Sequence, residues 1–212
     1  MDGVLTNEVS SWEYLHRAFG VSNKSNWELY EKDKISYEEF LRSDVSLWLD
    51  KFGKVSEKAV RGILDKIELK RNLKDTLSKI RSCGIKTIII SGGVYWLAEK
   101  ISTIVSFDDI YANCILVDSN GFLKKEGFAP VDPKKKGELL EKIQGIYDIR
   151  DENTVVVGDS DHDVLMFDHA AFSIAFNPSS RHVADSADYV IFGENFSVIM
   201  EALENIHKRV QI

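Results

Sequence analysis

Hydrophobic and polar positions repeat with two different periods along the chain. From about residue 10 to residue 70, apolar residues recur every three or four positions, as in YEEFLRSDVSLWLDKFG, which predicts amphipathic helices and almost no strand. After residue 72, short apolar β-branched runs such as IKTIII and TVVVGD stand between helical stretches. Such runs, separated by helices, are typical of an α/β fold with a parallel sheet covered by helices on both faces.

This change of period predicts a Rossmann-like α/β core with a small helical cap inserted near its start. We assign residues 1–8 and 71–212 to the core and residues 9–70 to the cap. No Pro/Gly/Ser-rich linker separates the two parts, which favours an insertion over a tethered second domain. Within the core, Asn120-Gly121 predicts a β-hairpin, since a type I′ turn needs two residues that tolerate positive φ. Trp12, Trp27 and Trp48 of the helical part are expected to form its core, with a ligand-stacking surface as the alternative.

Charge and composition narrow the classes of partner. The formal net charge is -7, so a nucleic-acid-binding surface is not expected. No apolar run approaches the roughly 20 residues of a membrane span. Cys83 and Cys114 belong to no C-x-x-C pair, which favours free thiols in a reducing compartment. We expect a cytoplasmic protein with a small-molecule partner, and a dimer is one option for the oligomeric state, which the sequence leaves open.

The segment IIISGGVYW places Ser91, Gly92 and Gly93 where a buried strand ends and a helix begins. A hydroxyl group, backbone N–H groups and the positive end of the helix dipole converge at such a junction, and glycines let an anion approach. The segment therefore indicates a phosphate site. The alternative is a glycine turn that only joins the strand to the helix.

An acidic segment follows a later strand, in VVVGDSDHDVLMF. Asp159, Asp161 and Asp163 crowd the C-terminal edge of the sheet, where a hard cation such as Mg²⁺ would relieve their repulsion. The alternative is an acidic first turn of a helix. His162 lies inside the segment and either donates a hydrogen bond into the site or points to solvent.

Upstream, the lysine triplet of DPKKKGELLEKI is typical of a solvated helix start. Lys136 is the exception, because it directly precedes the apolar face of the helix.

Taken in order, D-G-V-L-T, S-G-G, K-G-x-x-L and G-D-x-x-x-D resemble the four motifs of the haloacid dehalogenase superfamily. The helical insertion after the first motif, the stretch YAN…DSNGFLKKEG and the stretch SIAFNPSSRHVADSADYVI resemble its phosphoserine phosphatase-like branch. ISYEEFLRSDVSLW is similar to the archaeal-type members. The resemblance implies a Mg²⁺-dependent phosphatase that hydrolyses a small phosphomonoester metabolite through a phosphoaspartyl intermediate.

The resemblance also implies roles for individual residues. Asp2 matches the second aspartate of the family's D-x-D-G motif, which protonates the leaving group and later activates water, and its backbone carbonyl would bind Mg²⁺. Asp159 would be a carboxylate ligand, and Asp163 a ligand or a neighbour of the ligands. Phosphoryl oxygens would be held by Ser91, the Gly92 N–H group and the catalytic Lys136. His162 stands where the family usually has Asn and is expected to contact the phosphate or the leaving group.

Two positions depart from the family pattern. The position of the attacking aspartate falls directly before Met1, so we expect the true start to lie upstream, with a central strand that ends in Asp. The chain as printed would then lack its nucleophile and its first strand and would be inactive. In the cap, the arginine that grips a substrate carboxylate falls on Asp44, and the acidic position falls on Val9 or Ser10, which argues against phosphoserine as the substrate.

Two alternative functions remain open at this point. One is a phosphotransferase or mutase on the same scaffold, which passes the phosphoryl group to a second substrate and not to water. The other is a catalytically silent protein that retains a phosphate- and metal-binding pocket. The four residues Ser91, Lys136, Asp159 and Asp163 favour the phosphatase over the silent protein, because a non-catalytic protein need not keep them.

Overall fold

Four helices occupy the part of the chain in which the sequence predicts a cap. In the computed structural model, which describes the backbone of residues 1–210 and the side chains of residues 1–206, each forms where the helical period begins. The third helix starts with a capping box, since the Ser36 hydroxyl accepts from the Glu39 N–H group and the Glu39 carboxylate accepts from the Ser36 N–H group. The helices are α1 (Ser11–Phe19), α2 (Lys24–Glu31), α3 (Tyr37–Phe52) and α4 (Glu57–Leu64).

Helices and strands alternate in the remainder of the chain, as the short apolar runs predict. Residues 211 and 212, the end of the predicted core range, lie outside the described residues. The elements are α5 (Leu73–Ser82), β1 (Ile88–Val94), α6 (Tyr95–Ser102), β2 (Asp109–Val117), β3 (Leu123–Phe128), α7 (Lys136–Tyr147), β4 (Val155–Gly158), α8 (Asp161–Phe167), β5 (Phe172–Phe176), α9 (Arg181–Asp185), β6 (Tyr189–Ile191) and α10 (Val198–Val210).

The strands form two three-stranded sheets. β1 pairs with β2 in parallel and β2 with β3 antiparallel, while β4, β5 and β6 are parallel to one another. The α/β class is confirmed, but the expected single sheet is divided, because among the described strands β1 is not hydrogen-bonded to β4.

A largely apolar cavity of about 380 Å³ lies between the two sheets. Residues of β1 and β4 line it, together with Met1, Val4 and Leu5. The first residues form turns, in which the Leu5 N–H group donates to the Met1 carbonyl at 2.7 Å, so they add no strand to either sheet. The expectation of a missing central strand stays a prediction.

The hairpin predicted from Asn120-Gly121 is confirmed, but its turn differs from the expected type. Only Gly121 has positive φ, at 76°, and its N–H group donates to the Asp118 carbonyl. The Asp118 carboxylate also accepts from the N–H groups of Asn120 and Phe122, which stabilises a loop of three residues in place of two.

The helices of residues 11–64 share one hydrophobic cluster with β1 and α6. Trp48 and Val45 of α3 are fully buried in the same cluster as Val94 and Leu97. The assignment of residues 9–70 to a separate cap stays a prediction, since these helices have no core of their own. Among the described helices, none has the length and apolar character needed to cross a membrane.

Candidate active site

The predicted site residues come together in one cavity of about 340 Å³. Ser91 lies within β1, which continues to Val94 in place of ending at Ser91, Asp159 directly follows β4, and the start of α7 supplies Lys136. Helices α1, α2 and α3 supply the opposite wall. The predicted residues that line the cavity are Asp2, Ser91, Gly92, Lys136, Asp159, His162 and Asp163.

Lys136 and Asp163 form a buried ion pair at the base of the cavity. Lys136 Nζ donates to Asp163 Oδ1 at 2.7 Å, and the two residues are 8% and 5% exposed. Asp163 Oδ2 accepts from the N–H groups of Asp159 and Ser160 and from the Ser160 hydroxyl. Burial alone would raise the pKa of Asp163, but the ammonium group and these donors hold it well below its usual range. Asp163 is therefore a charged acceptor that orients Lys136.

The Asp159 carboxylate differs from that of Asp163. Among the described residues, no hydrogen bond ends on its oxygens. Burial raises the pKa of Asp159 to about 7, and the nearby charge of Asp163 acts in the same direction. Gly3 has a φ of 69°, and a Cβ atom added there would lie 2.1 Å from Asp159 Oδ2, so the backbone approaches the carboxylate closely. A buried carboxylate without donors suits a cation.

Asp2 is held by the first turn of α1. Its Oδ2 atom accepts from the backbone N–H group and the hydroxyl of Ser11, both at 2.7 Å. Its Oδ1 atom is enclosed and has no hydrogen-bond partner. Burial raises the pKa of Asp2, while the Met1 ammonium group and the Ser11 donors oppose that rise. A carboxyl group with a raised pKa can carry the proton that a leaving group needs.

The Ser91-Gly92 segment of β1 is held by hydrogen-bond partners that the sequence does not indicate. The Ser91 hydroxyl accepts from the Gly93 N–H group at 3.0 Å. The Gly92 carbonyl accepts three hydrogen bonds, from Trp12 Nε1 at 2.9 Å, Tyr37 OH at 3.2 Å and Asn113 Nδ2 at 3.0 Å. Nothing in the local pattern marks Asn113, because its partners lie far from it in sequence.

Replacing Asn113 by leucine is expected to lower the free energy of unfolding by about 2 to 4 kcal/mol. Asn113 is fully buried, and its amide also accepts from the Val131 N–H group and donates to the Val131 carbonyl. Leucine would leave these groups unpaired. Urea denaturation measures the resulting loss in the free energy of unfolding. Asn120→Ala, in the exposed hairpin turn, is the control and should change stability by less than about 0.5 kcal/mol. Equal effects of the two substitutions would contradict the role of Asn113.

His162 contacts the helical part of the molecule from the rim of the cavity. Its ring lies 5.8 Å from the Trp27 ring, edge to face, and Nε2 is 3.5 Å from Glu31 Oε1. It therefore joins α8 to α2 at the cavity entrance.

The other two lysines of the triplet do not line this cavity. Lys134 Nζ donates to the carbonyl groups of Tyr30 and Glu31 at the end of α2, and Lys135 is exposed. The Tyr30 hydroxyl donates to Asp132 Oδ1 at 2.5 Å, which also fastens α2 to the core. Of the three lysines, Lys136 alone lines the cavity.

Metal-binding capacity rests on few side chains. In the described part of the chain, no three His, Cys, Asp or Glu side chains form a metal-binding cluster by themselves. Mg²⁺ keeps several waters and often takes only one or two carboxylates from a protein. The Asp159 carboxylate and the Asp2 carbonyl, which accepts only from the Val4 N–H group, fit such a donor set.

The chain belongs to the haloacid dehalogenase-like hydrolases, because the model of that family matches residues 1–170. It is 32% identical over 154 residues to the phosphoserine phosphatase of Methanocaldococcus jannaschii, covering 72% of this chain and 71% of that protein. With the phosphoserine phosphatase of Idiomarina loihiensis it shares 29% identity over 150 residues, covering 71% and 68%. A solved structure of a substrate-bound phosphoserine phosphatase matches with a TM-score of 0.77 at 26% identity, covering 95% of this chain and 94% of that one. The resemblance to the phosphoserine phosphatase-like branch is confirmed.

Proposed function

We propose that this hydrolase is a Mg²⁺-dependent phosphatase of a small phosphomonoester metabolite. The observation that carries the proposal is the convergence in one cavity of an acid, a lysine, a serine and a carboxylate that accepts no hydrogen bond from the described residues. These are the groups that phosphoryl transfer needs, because the reaction depends on positioning and on neutralising charge at the phosphoryl oxygens.

Binding of the phosphoryl group is assigned to Lys136, Ser91 and the Gly92 N–H group. The Asp163 carboxylate holds the Lys136 ammonium group at 2.7 Å, so this cation is in place before the substrate enters. The Ser91 hydroxyl accepts from Gly93 and keeps its own hydrogen for a phosphoryl oxygen. His162, at the rim, would contact the leaving group.

The metal site is assigned to the Asp159 carboxylate and the Asp2 carbonyl. Asp163 acts as a neighbour of the ligands, since both its oxygens already accept hydrogen bonds. When bound, Mg²⁺ would supply positive charge to the phosphoryl oxygens.

The covalent step needs a carboxylate two positions before Asp2, where the family's D-x-D-G motif has its first aspartate. Its oxygen would form a bond to phosphorus while the bond to the leaving oxygen breaks, and that oxygen would take the proton of Asp2. Asp2 would then accept a proton from water as the water oxygen attacks phosphorus, releasing phosphate and restoring the carboxylate.

The test measures phosphate release from p-nitrophenyl phosphate with and without Mg²⁺. Three polypeptides are compared: residues 1–212, the same chain preceded by a short apolar strand ending in Asp, and a matched extension ending in Asn. Only the Asp extension is expected to turn over, and only with Mg²⁺. The proposal fails if the Asp and Asn extensions release phosphate at the same rate.

A further inference from the structure

Aromatic rings form much of the wall of the site cavity that faces the catalytic residues. They are Trp12 of α1, Trp27 of α2, and Tyr37 and Phe40 of α3. Trp27 meets Phe40 edge to face at 5.3 Å. Trp12 Nε1 and the Tyr37 hydroxyl are already bonded to the Gly92 carbonyl. These two side chains therefore offer a ligand their ring carbons more than their polar atoms.

Asp44 lines the same wall and has one carboxylate oxygen without a partner. The residue is 1% exposed, and its Oδ1 atom accepts from His16 Nε2 at 2.7 Å and from Asn23 Nδ2 at 2.6 Å. No hydrogen bond in the described part of the chain ends on Oδ2, although His16, Asn23 and Asp44 all line the cavity. A buried carboxylate in this position is costly unless a donor or a cation compensates it.

His16 does not supply the compensating charge. Trp48 Nε1 donates to His16 Nδ1 at 2.9 Å, so Nδ1 is the acceptor of the ring and Nε2 carries the hydrogen that faces Asp44. A second proton on Nδ1 would face the Trp48 N–H group and break that bond. His16 is thus held as a neutral donor.

The remaining charges of the cavity also leave Asp44 without a cation. Glu13 of α1 lines the same wall, next to Asp44 and opposite the phosphate-binding groups. Among the described lining residues, Lys136 is the only lysine or arginine, and its ammonium group is bonded to Asp163. Burial raises the pKa of Asp44, while the hydrogen bonds from His16 and Asn23 oppose that rise, so a ligand cation is favoured and a substrate carboxylate is opposed on this side of the cavity.

We propose that the cavity selects phosphomonoesters whose other end carries an ammonium group and no carboxylate, with Asp44 and the aromatic wall as the specificity determinants. The inference rests on the proposed phosphatase function and names its substrate class. Aromatic faces attract ammonium groups through their quadrupole, and a carboxylate without a cation attracts the same charge.

The test compares four ligands by calorimetric titration of the unaltered chain: aminoethyl phosphate, propyl phosphate, O-phosphoserine and inorganic phosphate. Aminoethyl and propyl phosphate are nearly the same size and differ in the ammonium group, and O-phosphoserine adds a carboxylate. Aminoethyl phosphate is expected to bind on the order of tenfold more tightly than either other ester, as one cation–π contact and one ion pair allow. If the chain hydrolyses the esters, the ratio of kcat/KM replaces the ratio of Kd.

Asp44→Asn keeps the size of the side chain and removes its charge. It is expected to bring aminoethyl and propyl phosphate within about twofold of each other and to leave the Kd of inorganic phosphate unchanged. Asp50→Asn is the matched control, because Asp50 lies on the same helix, is 65% exposed and pairs with Lys125. It should retain the full preference. If Asp44→Asn does not fold, the ligand series on the unaltered chain and Glu13→Gln, an exposed lining residue expected to weaken the preference, decide the question.

The outcomes separate this inference from the function on which it rests. Equal binding of aminoethyl and propyl phosphate, or tighter binding of O-phosphoserine, overturns the substrate class and leaves the phosphatase intact. If Asp44→Asn retains the preference for aminoethyl phosphate over propyl phosphate, the proposed role of Asp44 is wrong. If no phosphate compound binds, both the proposed phosphatase and the substrate class fail.

Discussion

Lys136→Met is expected to lower the free energy of unfolding by about 3 to 5 kcal/mol and to abolish detectable binding of inorganic phosphate. The methionine fills similar space but leaves the buried Asp163 carboxylate without its cation. Burial then opposes the charged form of Asp163, and the pKa of that carboxyl should rise. Urea denaturation measures the loss of stability, and calorimetric titration with phosphate measures the loss of the site.

Two further variants test the cause of this effect. Lys135→Met changes the exposed neighbour of Lys136 and should alter stability by less than about 0.5 kcal/mol. Adding Asp163→Asn to Lys136→Met removes the uncompensated charge, so part of the lost stability should return while phosphate binding stays lost. If the two effects instead add, the double variant loses the stability lost in Lys136→Met plus that lost in Asp163→Asn alone. In that case the buried ion pair is not the source of the lost stability.

Asp159→Asn is expected to stabilise the metal-free chain above pH 7 by up to about 4 kcal/mol, the free energy that corresponds to a pKa raised from 3.8 to about 7. The folded pKa lies above the unfolded one, so the contribution of Asp159 is fully present below about pH 3.8 and is lost as the pH rises through 7. The metal-free chain should therefore lose stability between about pH 4 and 7, and the Asn variant should lose less of it.

Magnesium ions should reverse the pH trend. A cation at Asp159 replaces the proton, so the stabilisation by Mg²⁺ should grow as the pH passes 7 and vanish in Asp159→Asn. Asp161→Asn is the control, since that carboxylate is exposed and accepts only from the Ser180 hydroxyl. The difference between the two variants therefore reports the loss of the Asp159 carboxylate. A Mg²⁺ effect that survives in Asp159→Asn would place the metal elsewhere.

The elements and the catalytic half of the site were predictable from local patterns. Ser91 and Asp159 stand in or directly after apolar β-branched runs, where α/β proteins commonly bind ligands, so the pattern marks both residues. Lys136 could be separated from Lys134 and Lys135 because it begins the apolar face of α7. In each case the signal lies within a few residues of the side chain concerned.

The sequence predicted fewer of the side chains that surround Gly92, because their positions depend on contacts between residues far apart in the chain. Trp12, Tyr37 and Asn113 meet on the Gly92 carbonyl from positions 21 to 80 residues away. Trp12 lies in the hydrophobic core cluster and Trp27 packs against it, and both also line the site cavity. Periodicity assigns a residue to a buried face but does not say whether that face meets another helix or a cavity.

The sequence by itself determined the order of the motifs and the α/β class, and it marked residues that the structure brings together in one cavity, since these follow from short-range periodicity. Only the tertiary structure decided that the strands form two sheets and that Asp163 is bonded on both oxygens while Asp159 has no partner. It also decided that His16 stands neutral between Trp48 and Asp44. These features depend on which donors fold back onto each carboxylate, and residues far apart in the chain supply many of them.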